Sequence, residues 1–184
     1  MIITLDTYVI NAMDLSVCKP IAPYFFDLCG QEHYRLLCYI STQFNDTLFV
    51  DIGTSSGDSA LAMGFNQRNK VVSFDIIQRD YTPILNCRYI IGDFTMFHNE
   101  LLESRCMLYD IPHYGNTFIK WCRYLRYVKW DGFLILDDYT YDLVKKRDWE
   151  KLGTEYTKID VSKYGHFSGT GIVNFSKTIE FKLK

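Results

Sequence analysis

Six aspartates stand at or near the ends of short apolar runs in this chain. Asp51 follows "TLFV", Asp75 ends "KVVSFD", Asp93 ends "CRYIIGD", Asp110 lies in "RCMLYDI", and the adjacent Asp137 and Asp138 close "GFLILDD". Carboxylates are rarely buried without a partner, so an acid at the end of every run is poorly explained by core packing. Any one of them is explicable as a helix cap. Repeated, they point to groups that accept hydrogen bonds from hydroxyls and amines or that hold hard cations. A second chemical feature overlaps the first. In "FVDIGTSSGDSALAM" (49–63), a buried-strand pattern runs into Gly53, then the hydroxyl residues Thr54 and Ser55, then Gly57, with Ser59 at the start of an apolar helix pattern. Two glycines let the backbone approach a ligand closely, and a helix start offers free N–H groups.

The elements that must position these residues are legible as alternating patterns. The runs 47–52, 70–76, 87–93, 105–111 and 132–138 are short, rich in β-branched and aromatic residues and almost continuously apolar. That is the signature of parallel strands covered on both faces. Helical periodicity precedes the first run in "QEHYRLLCYISTQF", follows it from Ala60, lies between the fourth and fifth as Phe118, Trp121, Cys122, Leu125 and Val128, and returns in "YDLVKKRDWEKL". The 76–86 connection, with Pro83, has room for one helical turn at most. Beyond residue 152, "EYTKIDV" and "GTGIVNFSK" read as two strands of an antiparallel hairpin. The expected fold is α/β, a doubly wound Rossmann-like sheet of five parallel strands closed by a terminal antiparallel hairpin. One domain spans 1–184: an N-terminal helical segment (1–45) covering the site, a core (46–140), and a C-terminal helix and hairpin (141–184). In such sheets ligands gather at the carboxyl ends of the strands, where the acids are.

"VDIGTSSG" has an acidic residue, one spacer, a glycine, three residues and a second glycine. A dinucleotide fingerprint needs Gly-x-Gly-x-x-Gly instead. On this motif, and on Asp75 and "IIGDF", the chain resembles class I S-adenosylmethionine-dependent methyltransferases over roughly residues 30 to 176. The resemblance implies S-adenosylmethionine as cofactor, with Asp51, Gly53, Thr54, Ser55, Gly57 and Ser59 around the methionine end, Asp75 on the ribose hydroxyls, Asp93 on the adenine amine and Phe94 beside the ring.

Asp110 and the pair Asp137, Asp138 should sit at the tips of neighbouring strands, about 4.8 Å apart. Three carboxylates there repel one another unless a cation or a proton intervenes, and oxygen donors favour Mg²⁺, Ca²⁺ or Mn²⁺. The layout resembles the metal-dependent O-methyltransferases of catechol and sugar type, which carry an Asp after strand four and an Asp-Asp or Asp-Asn pair after strand five. It implies Mg²⁺ or Mn²⁺ on Asp110, Asp137 and Asp138. His113, in "DIPH", matches the Asp-x-x-His of the sugar and small-molecule branch. An imidazole near pH ~6.5 can take a hydroxyl proton at neutral pH, so His113 and Asp110 are the expected catalytic residues.

Other residues attract blander readings. His33 belongs to a packed helix face, His98 to a solvated helix, His166 to a loop without a partner, and "KKR" (145–147) to a solvated face. Tyr109, Tyr114, Tyr139 and Tyr141 are expected aromatic walls for an acceptor. Net charge is −2 with a pI near 6.1, which gives no footprint for nucleic acid. The six cysteines form no CxxC pair and read as reduced thiols, and no membrane span or leader pattern is visible. A cytoplasmic enzyme is therefore expected, acting on a sugar, glycan or small-molecule hydroxyl, with no nucleic-acid or membrane partner. Its site would be covered by the N-terminal segment or by a second copy in a homodimer. Two rival functions stand beside it: an amino-group methyltransferase, since "DIPHY" faintly resembles Asp-Pro-Pro-Tyr although Ile111 takes the first proline position, and a non-catalytic cofactor-binding relative.

Overall fold

The computed structural model describes residues 1–18, 22, 25, 31–81, 83–111 and 117–184. In chain order the elements are β1 (Ile2–Leu5), α1 (Thr7–Asn11), α2 (Gln31–Thr42), β2 (Leu48–Ile52), α3 (Asp58–Met63), β3 (Lys70–Asp75), β4 (Cys87–Ile91), α4 (His98–Glu103) and β5 (Cys106–Tyr109). They continue with α5 (Thr117–Tyr127), β6 (Phe133–Leu136), α6 (Leu143–Lys151), β7 (Thr157–Asp160), β8 (Gly171–Asn174) and β9 (Glu180–Leu183). A seven-stranded sheet of order β4-β3-β2-β5-β6-β8-β7 forms the centre. Its β2–β6 members run parallel, while β8 pairs antiparallel with both β6 and β7. The chain therefore has the α/β class with a mostly parallel sheet.

The continuous apolar runs follow from burial on two faces. Alternate side chains of β2 divide between two cores: Phe49 packs with Leu36, Leu37 and Ala60 from α2 and α3, whereas Val50 and Ile52 pack with Phe118, Cys122 and Leu125 from α5. The same alternation puts Asp51 on the Phe49 face of the sheet. It is an interior, fully buried residue of β2, and Ile52 ends the strand.

The N-terminal segment is not purely helical. β1 lies parallel to β9 in a separate two-stranded sheet, with Ile2 opposite Glu180 and Leu5 opposite Leu183. Ile3 and Leu5 are wholly buried, so this pairing joins the start of the described chain to its end. Cys18, Cys38, Cys87, Cys106 and Cys122 are free thiols; Cys29 lies outside the described residues. Among the described residues, no helix is long and apolar enough to cross a membrane.

Candidate active site

The glycine turn folds tightly between β2 and α3. Gly53 has φ +112°, and both its N–H and that of Thr54 donate to the Phe74 carbonyl, at 2.9 and 3.2 Å. A Cβ at Gly53 would lie 2.0 Å from the Asp110 carbonyl oxygen, so the turn passes against the end of β5 as only glycine can. Gly57, at φ +90°, caps α3, and the Thr54 carbonyl accepts its N–H at 2.7 Å.

Asp75, the last residue of β3, is fixed by two backbone donors: Ser55 N–H reaches Oδ2 at 3.1 Å and Ile77 N–H reaches Oδ1 at 2.9 Å. Asp93 caps the 3-10 turn Phe94–Met96, accepting from Thr95 N–H at 2.9 Å and from the Thr95 hydroxyl at 2.8 Å. These residues bound one cavity of about 940 Å³, lined among others by Gly53, Ser55, Asp75, Asp93, Phe94 and Asp110. That volume suits a ligand of cofactor size. Asp51, Thr54, Gly57 and Ser59, expected at the cofactor, are absent from its lining. They buttress the turn from behind. Asp51 Oδ2 accepts from the Ser73 hydroxyl at 2.6 Å, and Thr54 and Ser73 share a 2.6 Å hydroxyl pair. Burial pushes the Asp51 carboxyl up to about 7, against hydrogen bonds from Ser73 and Ser59.

The far wall adds Trp121 and His98, which the sequence reading placed as helix packing and as solvated surface, together with Tyr124. Trp121 stacks on Tyr124 with centroids 5.2 Å apart and meets Phe94 edge-on at 5.2 Å, while the Tyr124 hydroxyl and His98 Nδ1 are 2.9 Å apart. All four residues line the cavity. Among the described residues, the buried Trp121 Nε1–H has no hydrogen-bond partner, which leaves a donor available to a ligand.

Asp110, Asp137 and Asp138 follow β5 and β6 directly, and each carboxylate faces a cation-forming side chain of the chain itself. Lys145 Nζ donates to Asp110 Oδ1 at 3.1 Å. His33 Nδ1 lies 3.4 Å from Asp137 Oδ1, close but without hydrogen-bond alignment. His166 Nδ1 lies 3.3 Å from Asp138 Oδ1, which also accepts from the Ser168 hydroxyl. The His166 hydrogen bond, helped by Ser168 and the Lys145 charge, holds Asp138 down at about 2. Burial raises Asp137, with His33 and His166 opposing and the neighbouring aspartates reinforcing. Tyr34 belongs to the same region, its phenol pushed up by burial and by the charges of Asp58, Asp110, Asp137 and Asp51.

Three readings are corrected here. Lys145 is not a solvated member of "KKR": it is 4% exposed, because Asp142 caps α6 through Val144 N–H at 2.7 Å and Lys145 N–H at 3.0 Å and so aims its first turn at the sheet edge. His33 is more than a packed face, and His166 has partners. The sequence carried a signal for the first two. His33 extends the buried stripe of Leu36, Leu37 and Ile40 on α2, and Lys145 and Asp148 lie on the buried side of α6. A polar residue in an apolar stripe needs a partner. Metal-ligand proximity also differs from expectation. Among the described residues, Asp137, Asp138 and His166 offer donor atoms within 4.8 Å of one another, whereas Asp110 belongs to no such group. His113 and Tyr114 lie outside the described residues.

No protein-family model matches this chain, and no curated protein does. Solved structures do match in fold. The chain is similar to a Staphylococcus aureus protein provisionally assigned as a caffeoyl-CoA O-methyltransferase, with 14% identity over 91% of this chain and 97% of that one and a TM-score of 0.58. It is similar to cofactor-bound Rv0187 from MTB, with 13% identity over 82% of each chain and a TM-score of 0.56. The S-adenosylhomocysteine-bound Podospora anserina methyltransferase PaMTH1 shares 12% identity over 77% of this chain and 76% of its own, with a TM-score of 0.54. The fold is that of these proteins, two of which are described as methyltransferases.

Proposed function

We propose that the chain is an S-adenosylmethionine-dependent methyltransferase that methylates a hydroxyl of a sugar, glycan or small molecule. One observation carries the proposal: the glycine turn, Asp75 and Asp93 bound a single cavity, and Asp110 lines that cavity beside the carboxylate cluster. Two features fit the cofactor. Gly53 lines the cavity without a side chain, and Trp121 brings a buried donor that is unmatched among the described residues. Gly53 and Ser55 would border the methionine end, Asp75 would accept from the ribose hydroxyls, Asp93 from the adenine amine, and Phe94 with Trp121 would flank the ring.

The bound cofactor supplies an electrophilic methyl on a sulfonium. The chain's residues then align an acceptor oxygen in line with that methyl and the sulfur, the near-attack geometry from which such displacements draw their rate. Asp110, which lines the cavity, would take the hydroxyl proton; His113, three residues on, is the base suggested by the resemblance. The Mg²⁺ or Mn²⁺ ion expected on Asp110, Asp137 and Asp138 does not fit that set, since Lys145 already holds Asp110 and Asp110 lies outside the Asp137, Asp138 and His166 donor group. An aromatic or vicinal-diol acceptor suits the tyrosine-lined surroundings, in which Tyr109 lines the cavity, Tyr139 is buried nearby in sequence and Tyr141 is exposed.

Calorimetry with S-adenosylhomocysteine tests the cofactor, and label transfer from methyl-tritiated donor to a pool of glycosides and phenols tests the acceptor class. Binding of S-adenosylhomocysteine with label appearing in those acceptors supports the proposal. Response to NADH alone, or label recovered in nucleobases or protein lysine, would replace it.

A further inference from the structure

We propose that Lys145 is a positioning residue that stands where a divalent cation was expected: its ammonium holds Asp110 ready to receive the acceptor proton, and the site works without a metal. This deepens the reading of the chain as a hydroxyl methyltransferase and rests on it.

Each carboxylate of the cluster lies beside a side-chain nitrogen, although Asp137 and His33 are not hydrogen-bonded. Asp110 has Lys145 at 3.1 Å, Asp137 has His33 at 3.4 Å, and Asp138 has His166 at 3.3 Å. The repulsion that calls for a cation among three bare acids is lessened by the Lys145 ammonium on Asp110 and by the hydrogen bonds of Asp138 with His166 and Ser168. Lys145 is the cation least able to be anywhere else. Its side chain is 5% exposed, while that of Asp110 is 39% exposed toward the cavity. A buried ammonium without a carboxylate partner is strongly disfavoured, so the pair is an obligatory one. Lys145 also sits in the first turn of α6, where the helix dipole repels a cation, which strengthens its need for Asp110 and Asp138. A divalent ion on Asp110 would have to share its carboxylate with an ammonium in a poorly solvated place, and like charges there are costly.

The consequence for the reaction is specific. With one carboxylate oxygen taken by Lys145, Asp110 is fixed in orientation and presents the rest of its carboxylate to the cavity. The acceptor oxygen forms a bond to the methyl carbon, the carbon–sulfur bond breaks with its electron pair staying on sulfur, and the hydroxyl proton passes to Asp110. A sulfonium, a carboxylate and an alcohol become a thioether, a carboxylic acid and a methyl ether, so charge and atoms balance.

The test is a Mn²⁺ titration of the full chain with S-adenosylhomocysteine bound, read by electron paramagnetic resonance of free Mn²⁺. The parent should bind no stoichiometric Mn²⁺. Lys145→Met, which bares Asp110, should acquire a site at least about tenfold tighter than any in the parent, and Lys145→Arg, which keeps the charge, should not. Stoichiometric Mn²⁺ on the parent, lost in Asp110→Asn or Asp138→Asn, would overturn the proposal. So would a Lys145→Met variant that still binds S-adenosylhomocysteine yet stays as indifferent to Mn²⁺ as the parent. Should Lys145→Met not fold, the parent and Lys145→Arg titrations decide. Failure of the parent to bind S-adenosylhomocysteine would instead remove the methyltransferase reading itself.

Discussion

Asp51→Asn should reverse part of the pH dependence of stability. Asp51 is fully buried behind the glycine turn, and burial lifts its carboxyl from 3.8 to about 7. The folded state therefore holds this proton more tightly than the unfolded chain. The associated stability is fully present below pH ~4 and is lost as pH rises through about 7. The whole gap corresponds to roughly 4 kcal/mol, and between pH 5 and pH 8 the group should remove about 2–3 kcal/mol from the parent. Asparagine is close in shape and never ionises. Urea unfolding at pH 5 and at pH 8, on parent and variant without cofactor, isolates the term because the other titrating groups are common to both. The variant should gain about 2–3 kcal/mol relative to the parent on going from pH 5 to pH 8. Equal differences at the two pH values would refute the claim that an ionising carboxylate is buried behind the turn.

Asp75→Ala should weaken S-adenosylhomocysteine at least about tenfold in calorimetry, since loss of a charged hydrogen-bond acceptor typically costs about 1.5–3 kcal/mol; parental affinity would place the ribose elsewhere. Gly53→Ala should destabilise the fold on the order of 1–3 kcal/mol, measured by denaturation, because its Cβ would meet the Asp110 carbonyl in a left-handed backbone. Trp121→Phe keeps an aromatic ring but removes the indole N–H, and should lower S-adenosylhomocysteine affinity about three- to tenfold if that donor serves the cofactor.

The parts of this protein that were legible in the sequence are those set by local chemistry. Parallel strands buried on both faces must be continuously apolar, and a turn pressed against a neighbouring strand's carbonyl must carry glycine, as Gly53 does. Asp75 and Asp93 could be placed because they follow strand ends, where side chains reach the cleft. Asp51 sits one residue before the end of β2 but faces the buried interior and not the cavity, because two faces alternate along a strand. The β1–β9 pairing was illegible, since nothing local couples Ile2 to Glu180. Lys145 was hidden among three consecutive cations; only the turn of α6 decides that the first of them faces Asp110 while Lys146 and Arg147 face solvent. His33 and His166 come from distant segments, and their meeting with Asp137 and Asp138 is a product of tertiary packing.

The most direct test of the central claim is the identity of the atom that receives the methyl group. The chain, supplied with ¹³C-methyl S-adenosylmethionine and panels of glycosides and catechols in metal-depleted buffer, should yield a product whose labelled carbon resonates as a methoxy carbon in NMR. A labelled carbon in the N-methyl region, or a methoxy product that forms only when Mg²⁺ or Mn²⁺ is restored, would contradict the account.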